Sequence, residues 1–338
     1  MMFNLSKMVK VLVSVLVVVL SGNLYLNAVD VNSDFDDAEV EDVQKADPAE
    51  QSEVEDFNIE DGKLTEYNGY AKKVVIPDEV TSIEFGVFLD HEEIEEVIFD
   101  QNLVNVEECA FYGCVSLREV ILPEGVTTVG RLAFGGCTSL TKFYMGEKLN
   151  NFMELCLWGC CSLKEITVSS QNLVFKSVDG ILYNKKGDEL ISCPENKIGN
   201  IIIPNDVVTI KEYAFFDCRN IKEVVCGDQL EFIDEASFGG CEGLEKIKFG
   251  PKVKKIRSHA FSGCLLLKEV VISESVKFLG SGVFFGCENL KKVVVLSKNI
   301  ILGEKLFTGC PDIVLCGHES SDIEQYAKDH KYKFELLP

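Results

Sequence analysis

The chain has 338 residues, of which 46% are hydrophobic and 26% are charged, and its formal net charge is −22 at pH 7. This composition is typical of a folded globular protein, so it excludes a chain that is disordered throughout. The acidic excess argues against nucleic acid or anionic lipid as a main partner, because both repel negative charge.

Residues 1–28 have the pattern of a secretory signal peptide. Two lysines precede the apolar run Val11–Leu20, and Leu26-Asn27-Ala28 offers a cleavage site. The alternative is an uncleaved amino-terminal anchor, because residues 9–29 are long enough to span a bilayer. Both interpretations predict a secreted or cell-surface protein, and cleavage would leave no transmembrane domain in the mature chain.

Residues 29–56 are predicted to form an acidic, disordered linker. Between residues 30 and 61 the sequence has 14 acidic side chains against Lys45 alone. The segment contains few side chains that a core could bury, so burial cannot offset the entropy of ordering it. A calcium-binding tail is disfavoured because the segment has no Asp-x-Asp-x-Asp-Gly loop.

Residues 57–338 contain a repeat with a period of 23 residues. An aromatic residue or leucine, the anchor, is followed by apolar residues at six and nine and, in all copies but the first, by cysteine at three. The spacing between anchors is 23 residues except for one interval of 58, and the anchors are Phe88, Phe111, Phe134, Leu157, Phe215, Phe238, Phe261, Phe284 and Phe307. This period is typical of a leucine-rich-repeat solenoid, in which stacked coils bury what one coil leaves exposed.

Each coil is predicted to contribute a strand to a parallel concave sheet. Leu117–Leu122 is an example, and Pro123 ends it because proline cannot continue a hydrogen-bonded ladder. Val126–Val129 is a second, shorter extended piece, and a tight helical turn carries the anchor Phe134. The predicted fold class is therefore a β-rich α/β solenoid.

Three segments depart from the regular coil. Asp179-Gly180, in an irregular repeat at about 169–204, indicates a β-hairpin that extends a coil, and Phe57–Leu64 indicates a second hairpin that covers the amino-terminal end. At the other end, Ser321–Glu324 has the pattern of a capping box that opens a short helix, and Tyr332–Leu336 alternates as a closing strand. The sequence thus predicts a hairpin cap at one end and a helix-strand cap at the other.

The repeat resembles the BspA-like, or Treponema pallidum-type, leucine-rich-repeat family of bacterial and protist surface proteins. The residues that carry the resemblance are the Ala-Phe-x-x-Cys-x-x-Leu blocks at 110–117, 133–140, 214–221 (with Ile in the last place) and 260–267. The resemblance implies adhesion to a host or to a neighbouring cell.

Two columns of side chains are predicted to face solvent from the concave sheet, because alternate strand residues point to opposite faces. The third-position column is charged and comprises Lys73, Glu96, Glu119, Lys142, Glu165, Asn200, Glu223, Lys246, Glu269 and Lys292. Its regular alternation from Glu223 onward favours a cross-strand charge ladder over a docking strip. The fifth-position column is mostly β-branched and comprises Val75, Ile98, Ile121, Tyr144, Thr167, Ile202, Val225, Lys248, Val271 and Val294.

The fifth-position column reflects either the preference of β-branched residues for a flat sheet or an apolar strip that binds a partner. The second interpretation makes the protein a binding module for a protein or glycan on a host or neighbouring cell. The candidate binding residues are Ile98, Ile121, Lys142, Tyr144, Thr167, Val225, Lys248 and Val271. A structural component of the cell envelope without a discrete ligand is the alternative.

Fourteen cysteines are present, and eight occupy the same position of the repeat. A column of buried free thiols is the favoured interpretation, with Cys226 and Cys316 also facing inward. Two local disulfides, Cys109–Cys114 and Cys156–Cys161, are alternatives that the sequence does not exclude.

No catalytic, cofactor or metal site is predicted. The sequence contains no nucleophile elbow, phosphate-binding loop or dinucleotide fingerprint. Cys310, Cys316 and His318 lack the paired short spacings of a zinc site. Trp158, the single tryptophan, is interpreted as surface packing, and an enzyme is the least favoured class.

Overall fold

The computed structural model describes residues 48–337, so the predicted signal peptide and most of the predicted linker lie outside the described residues. The rest forms stacked coils whose longer strands build one wall, the front sheet, which is the sheet predicted to be concave. Its strands are β1 (Ala49–Gln51), β4 (Ala71–Val75), β6 (Glu96–Ile98), β8 (Glu119–Ile121), β10 (Lys142–Met145), β12 (Glu165–Val168), β16 (Gly199–Ile202), β18 (Ile221–Val225), β20 (Lys246–Lys248), β22 (Glu269–Ile272), β24 (Lys292–Val295), β26 (Val314–Gly317) and β27 (Lys333–Leu336). These strands form four hydrogen-bonded parts: β1-β4-β6, β8-β10-β12, β16-β18-β20 and β22-β24-β26-β27.

Shorter strands build the opposite wall, the back sheet, which is divided into two hydrogen-bonded parts. The amino-terminal part contains β2 (Phe57–Glu60), β3 (Lys63–Tyr67), β5 (Ser82–Ile83), β7 (Asn105–Val106), β9 (Thr128–Val129) and β11 (Asn151–Phe152). The carboxyl-terminal part contains β13 (Phe175–Val178), β14 (Ile181–Asn184), β15 (Glu189–Ser192), β17 (Thr209–Ile210), β19 (Phe232–Ile233), β21 (Lys255–Ile256), β23 (Phe278–Leu279) and β25 (Ile301–Leu302).

The coils stack in register with an offset of one repeat. In the front sheet, Lys142 pairs with Glu119 on one side and with Glu165 on the other. In the back sheet, Val106 pairs with Val129. Like positions therefore form columns along both walls, and the predicted leucine-rich-repeat solenoid is confirmed.

Phenylalanine rings fill the space between the two walls. The rings of Phe111 and Phe134 are stacked at 5.1 Å with an angle of 2°, and those of Phe238 and Phe261 are stacked at 5.1 Å with an angle of 7°. All four are fully buried. Stacking in this arrangement adds about 0.5–1.5 kcal/mol per pair to the stabilisation from burial.

A column of cysteines lies beside the phenylalanines and satisfies buried carbonyls. The thiol of Cys137 donates to the carbonyl of Phe111 at 3.3 Å, and that of Cys241 donates to the carbonyl of Phe215 at 3.0 Å. The same bond to the preceding coil is made by Cys114, Cys160, Cys264, Cys287 and Cys310. Cysteine suits this position because it is small and apolar and still carries a weak donor.

All 14 cysteines are free, so neither Cys109–Cys114 nor Cys156–Cys161 forms a disulfide. Burial raises the pKa of the Cys109 thiol to about 12 and likewise that of Cys226 to about 12. Because the thiolate is the reactive form, the buried thiols are expected to be inert in the folded protein.

We expect one thiol to react rapidly with Ellman's reagent in the native protein and all 14 to react in denaturant without reductant. Cys161 is the exposed cysteine, and the other 13 are buried. Mass spectrometry after brief alkylation would identify the labelled residue. A denatured, unreduced chain with far fewer than 14 free thiols would contradict the arrangement.

The amino-terminal end is covered by the predicted hairpin, with one strand more than predicted. β2 and β3 pair antiparallel around Asp61 and Gly62, whose φ angles are 49° and 75°. β1 then adds to the edge of the front sheet, pairing Ala49 with Ala71, and a 3-10 helix (Val54–Asp56) connects β1 to the hairpin. β1 lies within the segment predicted to be a linker.

The irregular repeat forms a hairpin that separates two cores rather than extending a coil. β13 and β14 pair antiparallel around Asp179-Gly180. Ile181, Leu182 and Tyr183 of β14 are all buried. Leu182 belongs to the amino-terminal core, whereas Ile181 and Tyr183 belong to the carboxyl-terminal core. We call β13–β14 the dividing hairpin, because its two faces close two separate hydrophobic cores.

The carboxyl-terminal cap is a helix, α1 (Asp322–His330), followed by β27, as predicted. Ser321 is the residue before the helix, but the reciprocal capping box is not formed. The Ser321 hydroxyl donates to the carbonyl of His318 at 2.6 Å, and the Glu324 carboxylate accepts from the N–H of Ser320 at 2.6 Å. The start of the helix was therefore predicted correctly and its capping contacts were not.

In the last coil Cys316 is buried as predicted, at 2% exposed, but its register differs from that of the other inward residues. Val294 pairs with Cys316, which places Cys316 in the fifth-position column. The last coil is one residue shorter before its strand than the others, and a shift of one residue reverses the face of every side chain. Cys226 lies in the core as predicted.

Candidate functional site

The third-position column of the front sheet forms a ladder of exposed ion pairs. Lys73 lies 3.3 Å from Glu96, and Lys142 lies 4.0 Å from Glu165. Exposed pairs of this kind contribute about 0–1 kcal/mol each. These pairs across neighbouring strands agree with a role in strand register.

The fifth-position column is exposed over much of its length. Ile98 and Ile121 are 41% and 58% exposed on consecutive front strands. Tyr144 pairs with Ile121 on one side and with Thr167 on the other. Four of the eight candidate residues therefore lie side by side on β6–β12.

The other candidates are separated from these four or occupied by local contacts. Val225 and Lys248 pair with each other beyond the dividing hairpin, with Val271 on the next strand. The hairpin turn interrupts the front sheet, because the carbonyl of Gly180 accepts from the N–H of Ile166 at 3.0 Å. The predicted strip is thus two shorter strips.

Three candidate side chains are held by neighbouring carboxylates. Lys142 lies in the ion-pair ladder, and Lys248 lies 3.2 Å from Glu223. The Tyr144 hydroxyl donates to Glu124 at 2.8 Å. Partial burial, together with this carboxylate, raises the pKa of Tyr144. The polar ends of these three side chains are therefore already in contact with the protein's own carboxylates.

A second feature, the junction cleft, was missed by the sequence analysis. It has a volume of about 280 Å³ and opens where the regular stack is interrupted after the coil of Leu157. One wall is formed by residues 151–158, the other by residues 211–216, and the floor by residues 191–195. Trp158 also lines an adjoining cleft of about 300 Å³ with Asp217 and Arg219.

The junction cleft arises from one shortened layer. Thirteen residues separate Ile210 from Glu223 in the regular coil, but ten separate their partners, Leu190 and Asn200, in the layer before it. The three missing residues come from the helical turn, so that layer has a shortened outer turn, in which Cys193 still donates to Ala214. The interval of 58 residues between anchors was the sequence signal for it.

The shortened turn breaks a ladder of backbone hydrogen bonds, which we call the turn ladder. In most turns, alternate N–H groups donate to carbonyls of the next turn. In one intact coil the bonds run from Cys109, Phe111 and Gly113 to the carbonyls of Arg131, Ala133 and Gly135, at 3.0, 2.7 and 2.8 Å.

At the junction cleft the turn ladder is only partly replaced. The Glu195 carboxylate accepts from the N–H of Gly159 at 2.6 Å, and Cys193 donates its N–H to Ala214 at 2.7 Å. Among residues 48–337, no carbonyl accepts from the N–H of Leu155 or Leu157, and no N–H donates to the carbonyl of Glu212 or Phe216. Both walls thus present unpaired peptide groups.

Burial raises the pKa values of two carboxyl groups in the clefts. Burial raises the pKa of Glu195 to about 8, an effect that nearby Asp217 increases and the Gly159 N–H opposes. Burial also raises the pKa of Asp217, against the influence of Arg219 and of the Trp158 N–H. The Trp158 Nε1–H donates to Asp217 at 3.3 Å, which ties the single tryptophan to the opposite wall.

Neither a metal-ligand cluster nor a membrane-spanning helix is found in the part of the chain that the structure describes. Within residues 48–337, no three His, Cys, Asp or Glu side chains are grouped to hold a metal ion. No helix in this range combines the length and the apolar character needed to cross a bilayer.

The paired walls, the in-register columns and the two caps define a leucine-rich-repeat solenoid. The chain belongs to the BspA type leucine-rich-repeat family, whose repeat region matches residues 63–178 and 192–314 in six copies. The gap between the two matched ranges falls on the dividing hairpin and the start of the shortened layer. No relative among curated proteins matches the sequence.

Solved structures of bacterial proteins share the fold. The pneumococcal vaccine antigen PcpA is similar with a TM-score of 0.64 and 21% identity over 80% of each chain. A leucine-rich cell surface protein from Faecalibacterium prausnitzii has a TM-score of 0.57 and 24% identity over 76% of this chain and 81% of its own. A leucine-rich repeat protein from Eubacterium ventriosum has a TM-score of 0.55 and 23% identity over 75% of this chain and 61% of its own.

Proposed function

We propose that this chain is a secreted or cell-surface adhesion protein that binds a protein partner through its front sheet and has no catalytic step. The observation that carries the proposal is the adjacent exposure of Ile98 and Ile121 on consecutive strands. Contiguous exposed apolar surface on a soluble protein commonly marks an interaction site. The column continues through Tyr144 and Thr167.

The energetics suit a binding surface of modest area. Burying one exposed isoleucine side chain contributes about 1.5–3 kcal/mol. Part of the flanking third-position column is paired, as Lys142 is with Glu165, whereas Glu96 and Glu119 place like charges on consecutive strands. A partner would gain apolar contact in the centre and meet charged side chains at the edge, which is the arrangement of an apolar core with a polar rim.

A protein partner is favoured over a glycan on the front sheet by side-chain type. The exposed residues in the centre are aliphatic, whereas a sugar ring packs better on an exposed aromatic face. Tyr144 is the one aromatic residue of the column, and its hydroxyl is held by Glu124.

Export and surface location rest on two supports. The sequence of residues 1–28 has the pattern of an export signal. The similar protein from Faecalibacterium prausnitzii is described as a cell surface protein, and PcpA is described as a vaccine antigen. Both descriptions fit an extracellular adhesion role for this chain.

We expect the double variant Ile98→Asp, Ile121→Asp to bind cells at least tenfold more weakly than the unchanged protein. Two carboxylates in the strip would have to lose water against an apolar partner surface. The measurement is saturable binding of labelled protein to epithelial cells and to other bacterial cells. A protein partner predicts that protease treatment of the target cells abolishes binding and that periodate oxidation of surface sugars does not.

The matched control is Ile301→Asp, because Ile301 is 68% exposed on β25 of the back sheet. This variant has the same chemistry and is expected to bind normally. Undiminished binding by the double variant would remove the front sheet as the site. Absence of saturable binding to any cell would instead favour the structural envelope role.

A further inference from the structure

We infer that the back sheet carries a second binding site, for an acidic saccharide in which neutral sugars alternate with a uronic acid. The site is a row of three side chains, Phe232, Lys255 and Phe278, on the neighbouring strands β19, β21 and β23. We call this row the back stripe. It lies on the wall opposite the front sheet, so the inference goes beyond the proposed front-sheet function.

The side chains of the back stripe point away from the core. Each is the first residue of a two-residue strand whose second residue is a buried isoleucine or leucine, and successive strand residues point to opposite faces. Phe232 and Phe278 are half-buried, and Lys255 is exposed. Within residues 48–337, neither ring is among the side chains packed on the carboxyl-terminal core. Both rings therefore present apolar surface to solvent.

The repeat does not require aromatic residues at this position. In the amino-terminal part of the back sheet the same column is polar and comprises Ser82, Asn105, Thr128 and Asn151. Thr209 precedes Phe232 in the carboxyl-terminal part. Because these polar residues support the same strand register, coil stacking does not explain the two phenylalanines. Aromatic surface that the fold does not need, placed on an outer face, is typical of a binding site.

Lys255 carries a charge that no carboxylate neutralises. The cations beside it are paired, since Lys254 lies 2.6 Å from Glu231 and Arg257 lies 2.9 Å from Asp234. Among the residues that the structure describes, no carboxylate is in ion-pair contact with the Lys255 ammonium. The back stripe thus offers a free cation between two rings, which favours a ligand with a carboxylate.

The spacing of the back stripe matches a saccharide chain that runs along the stack. Neighbouring strands are about 4.8 Å apart, so β19 and β23 lie about 10 Å apart with β21 midway between them. One sugar unit of an extended chain spans a distance similar to one strand spacing. A trisaccharide can therefore place its outer sugars on Phe232 and Phe278 and the carboxylate of a central uronic acid at Lys255.

A saccharide is favoured over a single-stranded nucleic acid by the density of charge. Nucleic acids also combine stacking rings with anions, but they carry a charge on every unit. The formal net charge of this chain is −22, which repels such a polyanion. An alternating saccharide has one charge for every two sugars, and the back stripe has one cation between two rings.

We expect a hyaluronan hexasaccharide, in which glucuronic acid alternates with N-acetylglucosamine, to bind the full chain saturably in isothermal titration calorimetry. The same oligosaccharide with its carboxylates reduced to alcohols should bind at least fivefold more weakly, because it cannot pair with Lys255. The variants Phe232→Thr and Lys255→Gln should each weaken binding of the hexasaccharide at least fivefold. Threonine suits the fold here, because Thr209 occupies the same column on the preceding strand.

The matched control is Lys63→Gln, which makes the same change in the same column of β3, where Lys63 already lies 3.4 Å from Glu84. This variant should bind the hexasaccharide normally. So should the double variant Ile98→Asp, Ile121→Asp, which separates the back stripe from the front sheet.

Three results would overturn the inference. The first is the absence of saturable binding by the hexasaccharide, whether or not oligothymidylate binds. The second is equal affinity for the reduced, neutral oligosaccharide. The third is undiminished binding by both Phe232→Thr and Lys255→Gln, since that result would place the saccharide elsewhere on the molecule.

Discussion

Replacing Phe238 with alanine is expected to lower the free energy of unfolding of the carboxyl-terminal core by about 3–5 kcal/mol. Phe238 is fully buried, with its ring stacked between those of Phe215 at 4.7 Å and Phe261 at 5.1 Å. Alanine would leave a cavity between two rings that the registered strands hold apart. The lost burial of the ring and the cavity that remains both lower the free energy of unfolding.

The loss of stability caused by Phe238→Ala should be confined to the carboxyl-terminal side of the dividing hairpin. The carboxyl-terminal core contains buried residues from Ile181 to Ala327, and the amino-terminal core contains those from Phe57 to Leu182. In a solenoid each layer is stabilised by its neighbours, so a damaged layer weakens those nearest to it. Hydrogen exchange measured by mass spectrometry would therefore show faster exchange after residue 181 and little change before it.

The reciprocal variant, Phe111→Ala, provides the control. Phe111 is also fully buried, between Phe88 at 4.7 Å and Phe134 at 5.1 Å, but it lies in the amino-terminal core. Phe111→Ala should accelerate hydrogen exchange before residue 181 instead. Equal loss of protection in both halves for either variant would mean that the hairpin does not separate two cooperative units.

The second large effect is expected from Glu195→Gln, which should make the protein more stable at high pH. The pKa of Glu195 is raised from 4.5 to about 8 in the folded state. Between these pH values the folded state retains a proton that the unfolded chain releases. The contribution of Glu195 to stability is therefore fully present below about pH 4.5, falls as the pH rises, and is lost once the pH passes about 8.

Glutamine removes this titration and keeps the acceptor for the Gly159 N–H. The gain at pH 9 should be of the order of 5 kcal/mol, because the pKa rises from 4.5 to about 8 and each pKa unit corresponds to about 1.4 kcal/mol. Urea unfolding at several pH values from 4 to 9 would measure it. Glu108→Gln, on an intact coil, is the control and should leave the pH dependence of stability unchanged. If Glu195→Gln also left it unchanged, that result would contradict the burial of Glu195.

The front sheet and the junction cleft differ in the kind of group that is left without a partner. On the front sheet several charged groups are paired, such as Lys142 with Glu165, and the fifth-position column exposes aliphatic surface, such as Ile121. In the junction cleft the unmet groups are polar, namely the peptide groups of Leu155, Leu157, Glu212 and Phe216. One surface therefore offers affinity through loss of water, and the other offers directional hydrogen bonds.

The sequence by itself determined the repeat, because a period of 23 residues allows like residues such as Phe111 and Phe134 to pack on one another only in stacked, registered coils. It also located both caps and both hairpin turns, since Asp-Gly pairs and a serine before a helix are local signals. The position of Ile98 and Ile121 on the exposed face followed from strand alternation within the repeat.

Tertiary structure alone decided the features that depend on more than one coil. Leu182 and Tyr183 point into two different cores because β14 lies between the two stacks. The local sequence does not encode that position. The face of Cys316 depended on a one-residue shortening that only pairing with Val294 reveals. The cleft beside Trp158 exists because the turn of a neighbouring layer is shortened, and such a gap is a property of the stack rather than of the residues that line it.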